Sequence, residues 1–516
     1  METKEIEITS EFEKSLDLME NTNKNIFITG RAGTGKSTLL FYFKKTTKKK
    51  AVFLAPTGVS ALNIGGQTIH SFFRFGPDIT EDKIEKVSKW RIKLYKSLET
   101  IVIDEISMVR ADLLDYIDIF LRKNLEKNNP FAGIQMIFIG DLYQLPPVVK
   151  SDQVKIFKDK YQSEYFFDSN VFKKIDIEFI ELEKIYRQKD KLFIEILNRI
   201  RNNTVTDPDI KEINKRVVNK INDDEKYIVY LTPLNRTVKE INEQKLLALK
   251  KKIIPFKSIV NGDFNLDDLP SDDILKLARG AQVMFLNNDS EGRWVNGTLG
   301  SVIDFSTNDD LEETVIVELE DGEIVEVEPY KWELFKYRYD EETKKIKTEV
   351  TGEFIQIPLK LAWAITIHKS QGKTFNKVFI DLKSGTFAHG QAYVAFSRCT
   401  NLNGIYLKHP IEKKHIIMDR KVVNFITSYR YALSEKESPY EIKEEIIKDA
   451  IKRKIKLNIT YLKPNDEKSV RTIIPIKIEE IVFNSKKIKG VTAYCEMRNE
   501  ERFFKIDRIL DIKTLV

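Results

Sequence analysis

Only two cysteines occur in the 516 residues. Cys399 and Cys495 cannot build a disulfide framework, and no CxxC or Cys/His cluster suggests zinc. No apolar run approaches the roughly 20 residues a helix needs to cross a bilayer, and the start METKEIEITSEFEKS lacks a signal-peptide core. The chain is therefore expected to be cytoplasmic, with no membrane partner. Charge of one sign is also scarce: 85 Lys and Arg face 79 Asp and Glu, for a net +6. That balance excludes histone-like basicity while allowing nucleic-acid contacts. No internal repeat of 20 to 50 residues is present, so solenoids and propellers are excluded. What is present, 42% hydrophobic and 32% charged residues, suffices at this length for about three or four domains with sizeable cores.

From Asn25 to Val149, short apolar runs alternate with helical patterns. NIFITG, AVFLAP, TIVIDE and GIQMIFIGD read as buried strands ending in polar or glycine-rich turns. Strands separated by helices predict a parallel sheet with ligands at the strands' carboxyl ends. A second α/β pattern follows in YIVYLTP, KVFIDL and NGIYLK, with HGQAYVAFSRC as a helix. Between them, VIVELEDGEIVEVEP alternates apolar and polar residues around Asp321-Gly322, a hairpin signal. A small all-β insertion is expected over 298–358. The stretch 433–440 reads as a linker, and beyond it the charge changes. Residues 441–516 hold 18 Lys and Arg against 13 Asp and Glu, nearly the whole net excess.

Gly30-Arg-Ala-Gly-Thr-Gly35-Lys36-Ser37 fits GxxxxGK[ST] between a strand and a helix. Glycines let backbone N–H groups curl round phosphates, Lys36 adds a point charge, and Ser37 offers a hydroxyl to Mg²⁺. The strand Ile-Val-Ile ends in Asp104-Glu105, which suits one acid to organise hydrated Mg²⁺ and the other, Glu105, to act as general base. Hydrolysis of ATP or GTP is the expected chemistry. Gln144, after a third strand, reads as a γ-phosphate sensor or an ordinary loop glutamine.

The ordered series GRAGTGKS, APTGVSALNIGGQTIHSFF, VIDEISMV, GDLYQLPPV, LEKIYRQKD, RGAQVMFLNND, AITIHKSQGKTF and QAYVAFSRCTNLNGIYL resembles the PIF-one-type DNA helicases, relatives of RecD in the B branch of helicase superfamily one. The resemblance runs from about residue 10 to 425. It implies two tandem RecA-like P-loop domains with ATP between them, single-stranded DNA across their tops, and 5′→3′ translocation. It also implies a role in DNA repair, recombination and replication, the work of a family that includes telomere-maintenance members. On this pattern residues 1–183 form the first RecA-like domain, with a strand-splitting wedge sought near 76–98. Residues 184–297 and 359–432 form the second, and 298–358 an SH3-like insertion.

The resemblance further implies that Gly30, Gly33, Thr34, Gly35, Lys36, Ser37 and Thr38 surround the nucleotide, with Gly372 from the second domain. Ser37 and Asp104 would hold Mg²⁺. Gln144 becomes the γ-phosphate sensor, and Arg187 and Arg398 become arginine fingers. Pro56, Thr57, His70, His368, Lys369 and Ser370 would face DNA. Phe72 and Phe73 read either as stacking or positioning residues or as core aromatics. Many relatives carry a glutamine upstream of the P-loop that pairs with adenine; Glu13 stands at that place, so ATP remains the expected nucleotide with base selection either looser or handled by backbone.

Residues 441–516 resemble a WYL domain, a small SH3-like β-barrel, through ITY461, R471TIIP475, AY494CEMR498 and R502FFKIDR508I. The naming tripeptide is replaced by Lys489-Gly490-Val491. Arg471, Arg498, Arg502 and Arg508 suit an anion-binding face, with single-stranded DNA the favoured ligand over a docking role or a small nucleotide-like ligand. Tyr461 and Tyr494 read equally as core or stacking residues. The expected partners are single-stranded, forked and partial-duplex DNA, and G-quadruplexes; the expected state is a monomer working at a bacterial nucleoid. Rival readings are a translocase that does not separate strands, an ATP-switched regulator, and a remodeller of RNA–DNA hybrids.

Overall fold

The computed structural model describes residues 9–76, 78–149, 154–188, 190–218, 225–264, 269–308, 313–382, 388–463, 468–483 and 486–515. Residues 1–8 of the expected first domain, Pro77 of the expected wedge and Val516 lie outside them. Two compact units are formed, one by residues 1–197 and 206–417 and the other by 198–205 and 418–516.

The first unit opens with α1 (Ser10–Asn21), whose N-terminus is capped by the Thr9 hydroxyl accepting from the Phe12 N–H. Then come β1 (Asn25–Gly30), α2 (Lys36–Thr46), β2 (Ala51–Ala55), α3 (Gly58–Asn63), β3 (Gln67–Thr68), α4 (Ile69–Phe73), α5 (Lys89–Ser97), β4 (Thr100–Ile103), α6 (Ala111–Leu125), β5 (Gln135–Ile139), α7 (Val154–Lys160) and β6 (Ile177–Leu182). The sheet order is β3-β2-β4-β5-β1-β6, every neighbouring pair parallel. Ile26 and Ile28 of β1, Val102 of β4 and Ile137 and Ile139 of β5 pack on Leu39, Leu40 and Phe43 of α2. Continuous apolar strands are what a parallel sheet covered on both faces requires. The expected wedge region contains a short 3₁₀ turn, Glu81–Lys83, and α5; Tyr95 of α5 donates to the Phe72 carbonyl at 2.8 Å.

After α8 (Lys191–Arg201), α9 (Asp207–Asn214), β7 (Ile228–Thr232) and α10 (Asn235–Ala248), the chain leaves the α/β pattern. Strands β8 (Ile254–Lys257), β9 (Ile259–Gly262), β10 (Ile274–Leu277), β11 (Gln282–Phe285), β12 (Leu299–Thr307), β13 (Glu313–Leu319), β14 (Ile324–Val327), β15 (Tyr330–Asp340), β16 (Lys345–Gln356) and β17 (Leu359–Leu361) make the insertion. Its sheets run β14-β13-β12-β11-β17, β15-β16-β9 and β10-β8. The β region thus extends over 254–361, beyond the expected 298–358. Part of the difference lies in β11: all four of its residues are buried, so it lacks the alternation that marks a half-exposed strand. The long β15–β16 hairpin reaches the first parallel sheet. There Tyr337 accepts from the Phe53 N–H at 3.1 Å and donates to its carbonyl at 3.4 Å. Lys93 of α5 pairs with Glu341 at the hairpin tip.

The chain then returns through β18 (Ala364–Thr366), β19 (Lys377–Ile380), α11 (Gln391–Phe396) and β20 (Ile405–Leu407), giving a second parallel sheet, β18-β7-β19-β20. The unit is thus a pair of parallel-sheet domains with a β insertion in the second.

The second unit carries α12 (Arg420–Glu437), α13 (Tyr440–Arg453), β21 (Lys456–Leu462), β22 (Lys468–Phe483), β23 (Lys486–Cys495), β24 (Glu500–Lys505) and β25 (Ile509–Leu515). The expected linker at 433–440 is mostly helix. LSEKE contains no breaker, so α12 runs through it, and only Ser438-Pro439 interrupts before α13. The sheet, β24-β23-β22-β21-β25, is antiparallel throughout. Ile447 and Ala450 of α13 close its core against Leu457, Ile459, Ile473, Val491, Phe504 and Ile512. Ile447→Ala removes a fully buried side chain there and is expected to destabilise this unit by about 2–5 kcal/mol. An unchanged denaturant midpoint for the transition of this unit in the full chain would contradict that packing.

Candidate functional site

The loop between β1 and α2 is built by its glycines. Gly33 and Gly35 have φ of +80° and +88°, where a side chain would be strained. A Cβ on Gly30 would lie 2.5 Å from Thr34 Oγ1, and one on Gly33 would lie 2.5 Å from Arg187 Cβ. Lys36 Nζ donates to the carbonyls of Gly30 at 2.7 Å and Arg31 at 3.0 Å. Ser37 and Thr38 are exposed in the first turn of α2, and the Ala32 N–H donates to the Tyr393 hydroxyl of α11 at 3.1 Å. Glu13 is exposed on α1.

Asp104 and Glu105 follow β4. Asp104 N–H extends the sheet by donating to the Leu54 carbonyl at 2.9 Å. Glu105 then turns into the left-handed region at φ +49°, a strained conformation for a side-chain-bearing residue. Burial raises the pKa of both carboxyls, and for Glu105 the neighbouring Asp104 charge adds to it, while Lys36 pulls both back. A carboxylate held above its ordinary range is a better proton acceptor.

Opposite them stand Arg398, which follows α11, and Arg187, which follows β6. Arg398, 1% exposed, donates to the carbonyls of Val394 at 2.8 Å, Ser370 at 3.3 Å and Lys373 at 3.3 Å, and to Ser397 Oγ at 2.8 Å. Arg187 donates to the carbonyls of Ser397 at 3.4 Å and Gly372 at 3.1 Å. Burial, reinforced by the charge of Arg187, pushes Arg398 down to about 9. Gln144 donates to Asp141 at 3.1 Å. Gln371, which the sequence reading passed over, donates to Gln144 Oε1 at 2.9 Å and to Glu105 Oε2 at 3.4 Å. Its signal was its place between Ser370 and Gly372 in IHKSQGKT. Gly390 makes the approach of the domains possible, since a Cβ there would sit 2.2 Å from the Gln144 carbonyl.

The expected DNA face is partly redrawn. Thr57 caps α3, accepting from the Ser60 N–H at 3.2 Å, with Pro56 beside it half-buried. His70 and His368 are half-buried and Lys369 is exposed; burial lowers the pKa of both histidines. Phe72 and Phe73 are core residues. They are 4% and 1% exposed, and Phe72 meets Phe73, Tyr95 and Tyr337 edge-on, which leaves no face for a base. Ser370 is fully buried with its hydroxyl on the Ile367 carbonyl at 2.7 Å, so it holds the turn and does not face DNA.

In the second unit, Arg471 is not part of an exposed anion face. It is 7% exposed and donates to Ser469 Oγ at 3.0 Å and Cys495 Sγ at 3.6 Å. Arg498 and Arg502 are exposed, Arg502 donating to Glu500 at 3.2 Å, and Arg508 is half-buried. Tyr461 packs edge-on to Phe504 in the core, whereas Tyr494 is 37% exposed.

A family model for PIF1-like helicase matches residues 7–211, and one for the WYL domain matches 444–514. The chain is 32% identical over 440 residues to the ATP-dependent DNA helicase Pif1 of Bdellovibrio bacteriovorus, covering 83% of this chain and 94% of that protein. It is 30% identical over 475 residues to the ATP-dependent DNA helicase RRM3 of Saccharomyces cerevisiae, covering 77% and 64%. The structure of unliganded Bacteroides sp Pif1 superposes with a TM-score of 0.75 at 39% identity, covering 82% of this chain and 97% of that one. Bacteroides Pif1 bound to ssDNA gives 0.59 at the same identity and coverage.

Gln371→Ala removes the bridge between Gln144 and Glu105. It is expected to lower kcat for nucleoside triphosphate hydrolysis about 10- to 100-fold, the range for a partner that orients a reacting group, with nucleotide affinity nearly unchanged. Steady-state hydrolysis beside a nucleotide titration checks both halves of that expectation.

Proposed function

The chain belongs to the PIF1-like helicase family and is an ATP-dependent DNA helicase, and from that premise we propose which residues drive it and in which direction it moves. The observation that carries the assignment is a nucleotide site assembled from two domains: Lys36, Asp104, Glu105 and Gln144 on one, Arg187, Gln371 and Arg398 on the other. Lys36 and the loop amides bind the phosphates. Glu105 accepts the proton of the attacking water, and Gln144 holds the γ-phosphate side of the site. Arg187 and Arg398 exchange carbonyl partners for phosphoryl oxygens, which stabilises charge in the transition state. Because both arginines belong to the second domain, their engagement links hydrolysis to relative motion of the two sheets.

Mg²⁺ fits the donor set, with the exposed Ser37 hydroxyl and the Asp104 carboxylate to hold it. When bound it supplies charge neutralisation at the phosphates. The DNA track we assign to Pro56, Thr57, His70, His368 and Lys369, with 5′→3′ polarity supported by the family. The better match to unliganded than to ssDNA-bound Bacteroides Pif1 supports a rearrangement of the chain when DNA enters. A cleft of about 210 Å³ already separates Gly58, Gln67 and Ser71 from Phe264, Leu334 and Lys336. Forked duplex is the proposed substrate, supported by the Bacteroides complex on forked dsDNA. For the second unit, exposed Arg498, Arg502 and Tyr494 support binding of single-stranded DNA.

Strand separation on partial duplexes with a 5′ or a 3′ tail tests the motor. Unwinding is expected from the 5′ tail alone and lost in Lys36→Ala. Unwinding from the 3′ tail would reverse the polarity, and ATPase without unwinding would favour a translocase. Arg498→Glu with Arg502→Glu is expected to weaken single-stranded DNA binding and flatten its salt dependence by about 0.7 per lost phosphate contact. Unaltered binding would assign the second unit to a docking role.

A further inference from the structure

Lys360, in the middle of β17, lies opposite Met284 of β11. Its neighbours Leu359 and Leu361 pack with the core of the insertion, so the alternation sends Lys360 to the opposite face. The charges of two other lysines, Lys373 and Lys369, reach it there. Lys373 follows Gly372, which has φ +79°. Its stem runs along Gly297, where a Cβ would lie 3.5 Å from Lys373 Cβ and Cγ, and its ammonium donates to Asn296 Oδ1. Asn296 in turn donates to the Leu286 carbonyl at 3.1 Å and to Asn63 Oδ1 at 3.2 Å. Asn63 ends α3, the helix that Thr57 caps.

Three cations therefore converge where α3, the loop after β11 and the His368–Lys373 turn meet. No hydrogen bond or ion pair of Lys360 is found among the described residues. Burial and the charges of Lys373 and Lys369 push Lys360 down to about 7, with the Asp272 carboxylate opposing them; burial pushes Lys373 down to about 8. Lys360 and Lys373 are half-buried and Lys369 is exposed, and like charges gathered where water is scarce destabilise the free protein unless an anion joins them.

We propose that Lys360 and Lys373, with Lys369, form a phosphate-binding site for the backbone of single-stranded DNA, next to the track of Thr57 and His368. This rests on the helicase assignment and adds two contacts to it. The position of the site gives it a second property. The same turn that carries Lys369 and Lys373 presents the carbonyls of Ser370, Gly372 and Lys373 to Arg398 and Arg187. A phosphate on the lysine side chains therefore bears on the backbone that parks both arginines.

The test is the salt dependence of oligo(dT) binding by the full chain and by Lys360→Met/Lys373→Met. Loss of two phosphate contacts should reduce the slope of log K against log salt by about 1.4. The thermal midpoint should hold or rise, because repulsion between half-buried like charges is removed. Wild-type binding should also weaken between pH 7 and 9, as both lysines must take up protons to bind, and the double variant should lose that dependence. Lys360→Arg/Lys373→Arg, which keeps both charges, should retain the slope and covers the case where the methionine variant does not fold. An unchanged slope in folded Lys360→Met/Lys373→Met overturns the proposal. So does weakened ADP binding with DNA binding intact, which would make the site a nucleotide site. Failure of the wild type to bind oligo(dT) would instead overturn the helicase assignment beneath it.

Discussion

Two carboxylates and three cations are gathered in a space that burial keeps short of water, and the hydrogen bonds described for the cations run to backbone carbonyls and a hydroxyl. Lys36 rests on loop carbonyls, and Arg187 and Arg398 rest on carbonyls of the second parallel-sheet domain. Asp104 and Glu105 are raised by burial instead of being neutralised by a salt bridge. The arrangement is complete only when a polyphosphate supplies the missing negative charge. Domain contact, base activation and cation placement all depend on this unsatisfied balance, and so does the chemistry.

The scaffold makes the balance possible through backbone more than side chains. Parallel strands β1 and β4 deliver the loop and the acids to one edge of a sheet. Positive φ values at Gly33, Gly35 and Glu105, strained only at the last, turn the chain sharply at that edge. From the other domain, Gly390 permits contact that any larger residue would block. Gln371 then bridges Gln144 and Glu105 across the domain contact, so one donor touches both of the groups proposed to act on the γ-phosphate and the attacking water.

Much of this was legible from residue order. GRAGTGKS, VIDE and the two arginine motifs combine special backbone needs with charges that only one kind of chemistry uses, and the parallel-sheet context follows from unbroken apolar strands. What escaped notice depended on distant neighbours. Phe72 and Phe73 look identical to stacking platforms until Tyr95 and Tyr337 fold over them. Ser370 reads as a surface hydroxyl, yet a local bond to Ile367 withdraws it. Arg471 alternates like its exposed counterparts but turns inward to Ser469 and Cys495. The insertion was undersized in part because β11 is buried on every residue and so mimics a strand of the α/β layer. The linker was misread because Pro439 announces a break, while nothing before it prevents α12 from continuing.

The phosphate loop is not an open cradle. Its lysine is engaged by Gly30 and Arg31, and one of its amides, that of Ala32, is engaged by Tyr393. Nucleotide arrival is thus a swap of partners, and departure restores the earlier ones. Such a loop keeps its shape between turnovers, because the ammonium always has oxygen to face. It also gives up product more readily than a loop whose charge would be stranded on emptying. For a motor that must reset after every step, a site that binds somewhat less tightly but empties cleanly favours speed over grip.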